Sequence, residues 1–549
     1  MNPPRFLPTT RREMEQLGYD ELDILLVSGD AYVDHPSFGA ALLGRWLAAH
    51  GWRVGIVPQP HWDTPEDVMR LGRPRLFAGV SAGALDSLVA HYTAFRKKRS
   101  DDAYTPGGLA GKRPNRAAIV YASLIKKAFP GLPIVLGGVE ASLRRAAHYD
   151  FWSDCVRRSI LLDSKADLLV YGMGERAILE IARRSADQQS LKNIPGTAFI
   201  GTCVAALRLP SYEEIQADPK KLMTATLGLE EQMRQGVWAS QAHAGRDVVF
   251  TPPAEPLSTQ EMDKLYTLDF TRSPHPSYKE PIPAVEMIQF SITSHRGCAG
   301  GCSFCSLALH QGRRIASRSR ESLETEVRGL TRRKDWTGSI TDVGGPSANM
   351  WGARCTADPK ACKRPSCLTP SLCPNFQDNQ DELARLLQGL SQIHGVRHLR
   401  VASGVRHDLA MRSPAYVRAL AARFTGGQLK LAPEHCSDAV LKLMRKPAFA
   451  SFERFLTIFD KQSRAAGKEQ YVVPYLMSGF PGCTDEDMRE LSEWLAARGW
   501  KPRQVQCFLP TPGTVATAMF YAGIDPEGRR IKVARTDAER LRQHGILCR

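Results

Sequence analysis

Absences narrow this sequence before any motif does. No run of about 18 or more apolar residues occurs in its 549 residues, so no membrane-spanning helix is expected. The opening stretch MNPPRFLPTTRREMEQLGYD lacks the apolar core of a secretory leader. These two absences lead to the expectation of a soluble, cytoplasmic protein. No period in the sequence suggests a solenoid. Cysteine is scarce in the first half, where Cys155 and Cys203 alone precede Cys298. With no leader in view, the thirteen cysteines are read as reduced thiols serving metals or chemistry rather than structural disulfides.

Acid is the scarcer charge, with 57 Asp and Glu against 73 Lys and Arg, for a net +16. Such a balance attracts phosphate-bearing partners such as RNA, nucleotides or anionic lipid. The basic residues are scattered over RKKRSDD, GKRPNR, GRRIASRSR and LTRRKDW, a pattern that equally describes a solvated basic surface. Nucleic acid stays open as a partner, and no membrane partner is expected.

The chain is too long for one hydrophobic core. Asp23 to Val27, Gly55 to Val57, Leu76 to Val80, Pro133 to Leu136 and Asp167 to Tyr171 are short apolar runs, spaced widely enough for helical crossovers. They predict an α/β domain over residues 1–215 with a doubly wound parallel sheet. Gly137-Gly138 and Gly172-Met173-Gly174 stand where its strands would end, the usual place for a ligand crevice. Residues 216–285 lose the pattern and carry TPPAEPLS and TRSPHPSYKEPIP, so they read as a connector. Alternation resumes with MIQFSIT. SRESLETEVRGL places Leu323, Val327 and Leu330 on one helical face, and further strands are predicted at Ser339 to Val343, Leu399 to Ser403, Leu429 to Leu431, Tyr471 to Met477 and Val505 to Phe508. Six such units over residues 286–520 fit a partial (β/α)6 barrel, with reactive groups at the carboxyl ends of the strands. Residues 521–549 read as a tail.

Directly after the first of these strands comes RGCAGGCSFC, with Cys298, Cys302 and Cys305 in a C-x3-C-x2-C spacing on a glycine-bearing loop. Thiolates are the preferred ligands of iron-sulfur clusters, which usually take four of them, so three leave one iron of a 4Fe-4S cube open. An open iron can chelate the amino and carboxylate groups of S-adenosylmethionine (SAM), whose sulfonium one electron can then cleave to a deoxyadenosyl radical. Chance spacing and a zinc site, completed by His295 or His310, are the alternatives.

SITSHRGCAGGCSFCSLALHQGRRIASRSRESLETEV resembles the cluster-binding region of the YgiQ-type radical SAM proteins. So do DILLVSGDAYVDHPSFGAALLGRWL, PIVLGGVEASLRR, DLLVYGMGE and most of residues 286–520. The resemblance implies that Phe304 lies beside the adenine of SAM and that the carbonyls of Gly344 and Gly345 accept hydrogen bonds from its amino group. Pro346 stands where the family often has an acid. Ser403 and Arg406, in ASGVR, resemble the position that holds the ribose or carboxylate, and a guanidinium fork suits a carboxylate. Glu434 and His435 would line the cavity or cap the helix that follows them. The family commonly continues beyond the point where this sequence ends, so a cap over the site or a basic tail would be missing.

Cys355, Cys362, Cys367 and Cys373 form C-x6-C-x4-C-x5-C in an irregular stretch. Four thiolates suit a closed zinc or an auxiliary cluster, and free or redox-active thiols are the other reading. The first domain resembles cobalamin-binding domains, in which a D-x-H-x-x-G loop offers histidine to cobalt. Here DHPSFG makes Asp34 and His35 adjacent, with three residues before Gly39. The spacing departs from that motif, so cobalamin is not expected and His35 is not carried over as a ligand. A ligand-free sheet, or one binding another nucleotide-like molecule, is favoured.

The resulting expectation is a radical SAM enzyme of unknown substrate with a flavodoxin- or ferredoxin-type electron donor. Its rivals are a non-catalytic iron-sulfur protein that transfers electrons or senses redox state, and a tRNA-modifying or cobalamin-dependent methyltransferase. No appended RNA-binding domain is recognisable.

Overall fold

The computed structural model describes residues 6–204, 207–502 and 505–548. The chain forms two compact units, one of residues 1–255 and 268–289, the other of residues 256–267 and 290–549. Among the described residues no helix is long and apolar enough to cross a membrane.

The first unit is built on a nine-stranded sheet. Five parallel strands lie in the order Val54–Pro58, Ile24–Ser28, Phe77–Ser81, Ile134–Gly137, Leu168–Val170. They are the five predicted apolar runs. Their near-continuous hydrophobicity reflects burial on both faces, as along Ile24–Ser28, where all five residues are buried. Helices Gly39–Ala48 and Glu175–Ala186 pack together, as do Ala117–Ala128 and Ile160–Ser164.

The sheet then continues in mixed sense through Thr197–Ile200, Arg246–Phe250, Ala239–His243 and Leu207–Leu209. Residues 216–285, expected as a connector, therefore supply the 16-residue helix Lys220–Gln235 and a hairpin of the sheet. The first strand of the hairpin is hard to read because most of its buried positions are polar: Ser240, Gln241 and His243 are all inside. Gln241 pays for its burial with two hydrogen bonds, Oε1 accepting from Ala147 N–H at 2.7 Å and Nε2 donating to Pro210 O at 2.8 Å. Its turn uses Ala244 and Gly245, both at positive φ, rather than the Asn-Gly pair that announces such a turn.

Strand order reverses between Ile24–Ser28 and Phe77–Ser81, which makes their carboxyl ends the expected ligand crevice. Protein groups fill it. A Cβ on Gly29 would lie 2.2 Å from Ala82 O, so the two strand-end loops touch backbone to backbone. Arg113, fully buried, donates to Ala82 O at 2.9 Å, pairs with Asp30 at 3.0 Å and chelates Asp102 at 2.8 and 3.1 Å.

The second unit carries a succession of parallel strands, each paired with one that follows it in the chain. Ser291–Thr293 pairs with Asp342–Gly344, and Ser339–Ile340 with His398–Leu399. A single bridge joins Val405 to Leu431, after which Gln428–Glu434, Tyr471–Ser478 and Val505–Cys507 form one sheet. Helices separate them, and in Arg320–Thr331 the buried apolar side chains are Leu323, Val327 and Leu330, as the periodicity predicts. MIQFSIT divides into the end of helix Pro283–Ile288 and a three-residue strand.

Residues 521–549, expected as a tail, include helix Asp537–Leu547, which packs on Asp485–Ala497. Its buried Arg540 donates to Phe508 O at 2.5 Å and Gln543 to Cys483 O at 3.1 Å. Charged residues hide this helix in the sequence, although Thr536 and Glu539 form a capping box at its start.

Arg113→Met leaves Asp30 and Asp102 buried without their cation, and the expected loss is about 3–5 kcal/mol of stability. A lower urea midpoint for the full chain checks this. Adding Asp30→Asn and Asp102→Asn to the variant recovers most of the loss.

Candidate metal centre

The segment Cys298–Cys305 leaves the first parallel strand through a short hairpin, His295–Arg296 against Ala316–Ser317, and enters helix Leu307–Gln311. Glycines let it curl. Gly297 has φ 86° and a Cβ there would lie 2.2 Å from Arg314 O; Gly301 has φ 60° and its Cβ would lie 2.3 Å from Pro365 O. A Cβ on Gly300 would sit 3.4 Å from Cys298 Sγ and 3.8 Å from Cys302 Sγ, so two of the sulfurs fold over the same glycine. Ser303 fixes the loop from below: its N–H donates to Met444 O at 3.1 Å, its Oγ to Leu443 O at 2.7 Å, and its carbonyl accepts from Ala516 N–H at 2.9 Å.

Burial and the neighbouring Cys302 push the Cys298 thiol up. Burial, together with Cys302 and Cys298, pushes the Cys305 thiol up to about 12. Burial disfavours the thiolate form of both side chains. Two cations stand by to offset the negative charge of a thiolate-bound group. Arg406 Nη1 lies 3.9 Å from Cys302 Sγ, while its Nε and Nη2 chelate Asp408 at 3.0 and 2.6 Å. Lys446, buried, is paired with Glu434 at 3.5 Å, and its charge lowers the pKa of both Cys298 and Cys305.

Among the described residues no three His, Cys, Asp or Glu side chains converge as a single-ion site. Zinc would draw its sulfur ligands to about 3.8 Å from one another, given zinc–sulfur bonds of about 2.3 Å. A cube spreads them over separate corners, and three thiols on one short loop are a donor set that can serve three such corners. His295, a candidate fourth zinc ligand, is instead buried with Nδ1 2.9 Å from Ser294 Oγ. His310 lies on helix Leu307–Gln311.

The structure places the other expected residues with different outcomes. Phe304 is half-buried, its ring edge-to-face with Phe480 at 6.2 Å, and Phe480 in turn meets Phe508 at 5.5 Å. The Gly344 carbonyl already accepts from Ser294 N–H at 2.8 Å and Oγ at 3.2 Å, which differs from the expected open acceptor. Gly345 is required by packing, since a Cβ would lie 2.6 Å from His295 O and 2.7 Å from its ring. Ser403 donates its hydroxyl to the Asp342 carboxylate, which also accepts the N–H groups of Ala402 and Ser403 at 2.7 and 3.1 Å. Arg406 alone of this set reaches the thiols. His435 turns onto the backbone that follows it, its Nδ1 accepting from Cys436 N–H and Ser437 N–H, both at 3.0 Å and both ahead of helix Asp438–Met444.

Sequence reasoning missed four residues. Asp342 ties two strand ends together. Asn349 brackets the Arg406 backbone, accepting its N–H at 2.8 Å and donating to its carbonyl at 3.0 Å. Asp408 aims the Arg406 guanidinium, and its place two residues on was a legible signal. Lys446 had none; it is delivered by the turn that ends helix Asp438–Met444, where Arg445 is left-handed and Lys446 N–H bonds Leu441 O. Glu434 sits at a bulge with φ 72°, a conformation that costs about 1–3 kcal/mol in a non-glycine residue.

The second cysteine group lies against this loop, with Cys367 N–H donating to Ala299 O at 3.1 Å. A groove of 660 Å³ lined by Phe459, Arg464, Tyr471 and Trp500 opens at the amino end of strand Tyr471–Ser478 and is separate from the thiols.

In the first unit the residues at the cobalamin-like motif are committed elsewhere. Asp34, fully buried, is chelated by Arg45 at 2.5 and 2.6 Å and accepts Thr271 N–H at 2.8 Å. The buried His35 has Ser37 N–H at 3.0 Å from Nδ1 and Arg272 Nη1 at 3.1 Å from Nε2. With the crevice filled by Arg113, these residues do not fit a corrin.

Residues 6–291 match the radical SAM N-terminal family. A UPF0313 protein of Geobacter sulfurreducens is 52% identical over 99% of this chain and 92% of its own length. One of Thermotoga neapolitana is 50% identical over 97% and 96%. Among solved structures, the radical SAM methyltransferase TsrM from Kitasatospora setae, with cobalamin and a 4Fe-4S cluster bound, aligns at a TM-score of 0.52. That alignment covers 95% of this chain and 84% of TsrM at 14% identity, a likeness of fold.

Gly301→Ala forces the loop away from Pro365 and takes a side chain into positive φ, at about 1–3 kcal/mol. A correspondingly lowered urea midpoint of the full chain checks this.

Proposed function

The chain belongs to the UPF0313 family of YgiQ-type radical SAM proteins, and from that premise we propose that it is a radical SAM enzyme whose cluster is held by Cys298, Cys302 and Cys305. The observation that carries the reading is the placement of these three half-buried thiols on one glycine-bearing loop, after the first parallel strand of its unit, with Arg406 Nη1 against Cys302. The run of strands each paired with a later neighbour supports a partial (β/α)6 barrel for that unit.

When bound, the cluster and SAM supply one-electron reductive cleavage of a carbon–sulfur bond. The chain's own contribution is binding, charge balance and exclusion of water. Cys298, Cys302 and Cys305 give up their protons on loading. Arg406 keeps one guanidinium edge on Asp408, which fixes its orientation, and leaves Nη1 toward the sulfur ligands, where a SAM carboxylate would complete its fork. Phe304, backed by Phe480 and Phe508, gives the loop an apolar wall that suits an adenine face. Asp342 and Ser403 hold the ends of neighbouring strands in register rather than offering themselves to a ligand. A flavodoxin- or ferredoxin-type protein would deliver the electron.

The test is anaerobic. After reconstitution with iron and sulfide, reduction with dithionite and addition of SAM, mass spectrometry should find deoxyadenosine and methionine, and Cys298→Ala should abolish both. SAM should also change the paramagnetic spectrum of the reduced cluster. A loaded, reducible cluster whose spectrum ignores SAM would replace this reading with an electron-transfer or redox-sensing protein.

Cobalamin chemistry is not part of the proposal, because His35 and the crevice above the first sheet are already engaged. Hydroxocobalamin mixed with the protein is expected to pass through gel filtration unbound, with no change in its visible spectrum. Co-elution that His35→Ala removes would overturn this point.

A further inference from the structure

Cys355, Cys362, Cys367 and Cys373 stand outside the site proposed above, on a stretch with almost no framework of its own. Between Arg354 and Gln377 the chain makes one two-residue strand pair, Arg354–Cys355 against Phe376–Gln377, and one three-residue helical turn, Pro359–Ala361. Leu368, Cys373 and Phe376 join Ala299, Met350 and Leu409 in a small apolar cluster, with Cys298 and Cys367 packed against it. So little apolar contact is thin support for a stretch of this length, whose ordering entropy then needs another source of stabilisation.

The stretch is nevertheless pinned, and pinned to the first thiol loop. Ser366 Oγ donates to Gly300 O at 2.5 Å, Cys367 N–H donates to Ala299 O, and Gly301 owes its lack of a side chain to Pro365 O. Cys373 N–H donates to Cys367 O at 2.7 Å, turning these two cysteines back on each other. Arg313 donates through Nη1 to Arg364 O at 2.7 Å and places Nη2 3.4 Å from Cys367 Sγ. Cys355 and Cys373 are close enough for their charge to be felt at Cys367. Exposure falls along the set, from the exposed Cys355 through the half-buried Cys362 and Cys367 to the buried Cys373.

We propose that Cys355, Cys362, Cys367 and Cys373 hold an auxiliary iron-sulfur cluster seated against the loop that carries Cys298, Cys302 and Cys305. Iron-sulfur chemistry is favoured over zinc by the spacing of the four cysteines. Zinc knuckles separate paired cysteines by two to four residues, a range that only the Cys362 to Cys367 interval meets. A cluster tolerates the wider spacing because each iron takes its own thiolate. Arg313 at Cys367 offsets part of the negative charge that four thiolates bring.

The site stands or falls on its own iron, independently of SAM chemistry. After anaerobic reconstitution the full chain is expected to hold about eight irons, since each 4Fe-4S cluster holds four. The Cys298→Ala/Cys302→Ala/Cys305→Ala variant and the Cys367→Ser/Cys373→Ser variant should each retain about four. In the triple alanine variant the remaining cluster should be reducible and its spectrum indifferent to SAM, because four thiolates close every iron. If that variant does not fold, a fall from about eight irons to about four in the serine variant alone supports the site. A wild-type content near four irons that the serine variant leaves unchanged overturns it, as does one zinc per chain that survives reconstitution and depends on Cys367 and Cys373. Iron retained by the triple variant but lost from the serine variant, in a chain that never cleaves SAM, would keep this site and remove the function proposed above.

Discussion

Much of the region around Cys298 follows from a single constraint, the crowding of three half-buried thiols onto one eight-residue loop. One half-buried thiol is easily placed, but three that would ionise together to hold a cluster need a loop tight enough to gather them and positive charge near enough to receive them. Glycine at 297 and 301 meets the first need, because both backbones run against another carbonyl where no Cβ fits. Arg406 and Lys446 meet the second, and each is itself held by an acid, Asp408 or Glu434, so neither cation is left buried without a partner. The hydrogen bonds of Ser303 to the end of one helix, and of Ala516 to Ser303, then tie the loop to the later part of the unit.

What the sequence makes legible is what is local or periodic. The thiol spacing lies within eight residues, the face of Arg320–Thr331 repeats at helical spacing, and the five parallel strands announce themselves because burial on both faces leaves no polar alternation. Long-range pairing breaks this legibility. Arg406 reaches Cys302 from 104 positions away, and Arg113 fills a crevice whose walls belong to residues 30, 82 and 102. The hairpin Ala239–Phe250 and the helix Asp537–Leu547 were misread for a related reason. Their buried polar residues look like surface until their partners, such as Ala147 for Gln241 and Phe508 for Arg540, are known.

The glycine pair at 344 and 345 carries a further lesson. A resemblance locates residues, while the contacts decide what they do. Gly344 gives its carbonyl to Ser294, and Gly345 makes room for His295, so both glycines answer to packing between the first two strands. The acid two residues earlier, Asp342, is the group that does specific polar work there, and it does so on the protein's own Ser403. Strand ends in this region are thus fixed by internal hydrogen bonds before any ligand arrives, a form of preorganisation that leaves less entropy to be lost on binding.

The first unit shows the same separation of fold from use. Its strand order places a crevice where doubly wound sheets bind ligands, and TsrM, solved with cobalamin, shares the overall fold at 14% identity. Yet a buried triad of Asp30, Arg113 and Asp102 occupies that crevice, and Asp34 and His35 point their polar atoms at Arg45, Thr271 and Arg272. A ligand entering there would have to break a buried ion network, and each stranded charge would cost several kcal/mol. Neutral drift does not readily reopen such a site, because loss of any one member of the triad is strongly destabilising while the others remain. A crevice so plugged is therefore a stable arrangement of this sheet, held by the charges of Asp30, Arg113 and Asp102.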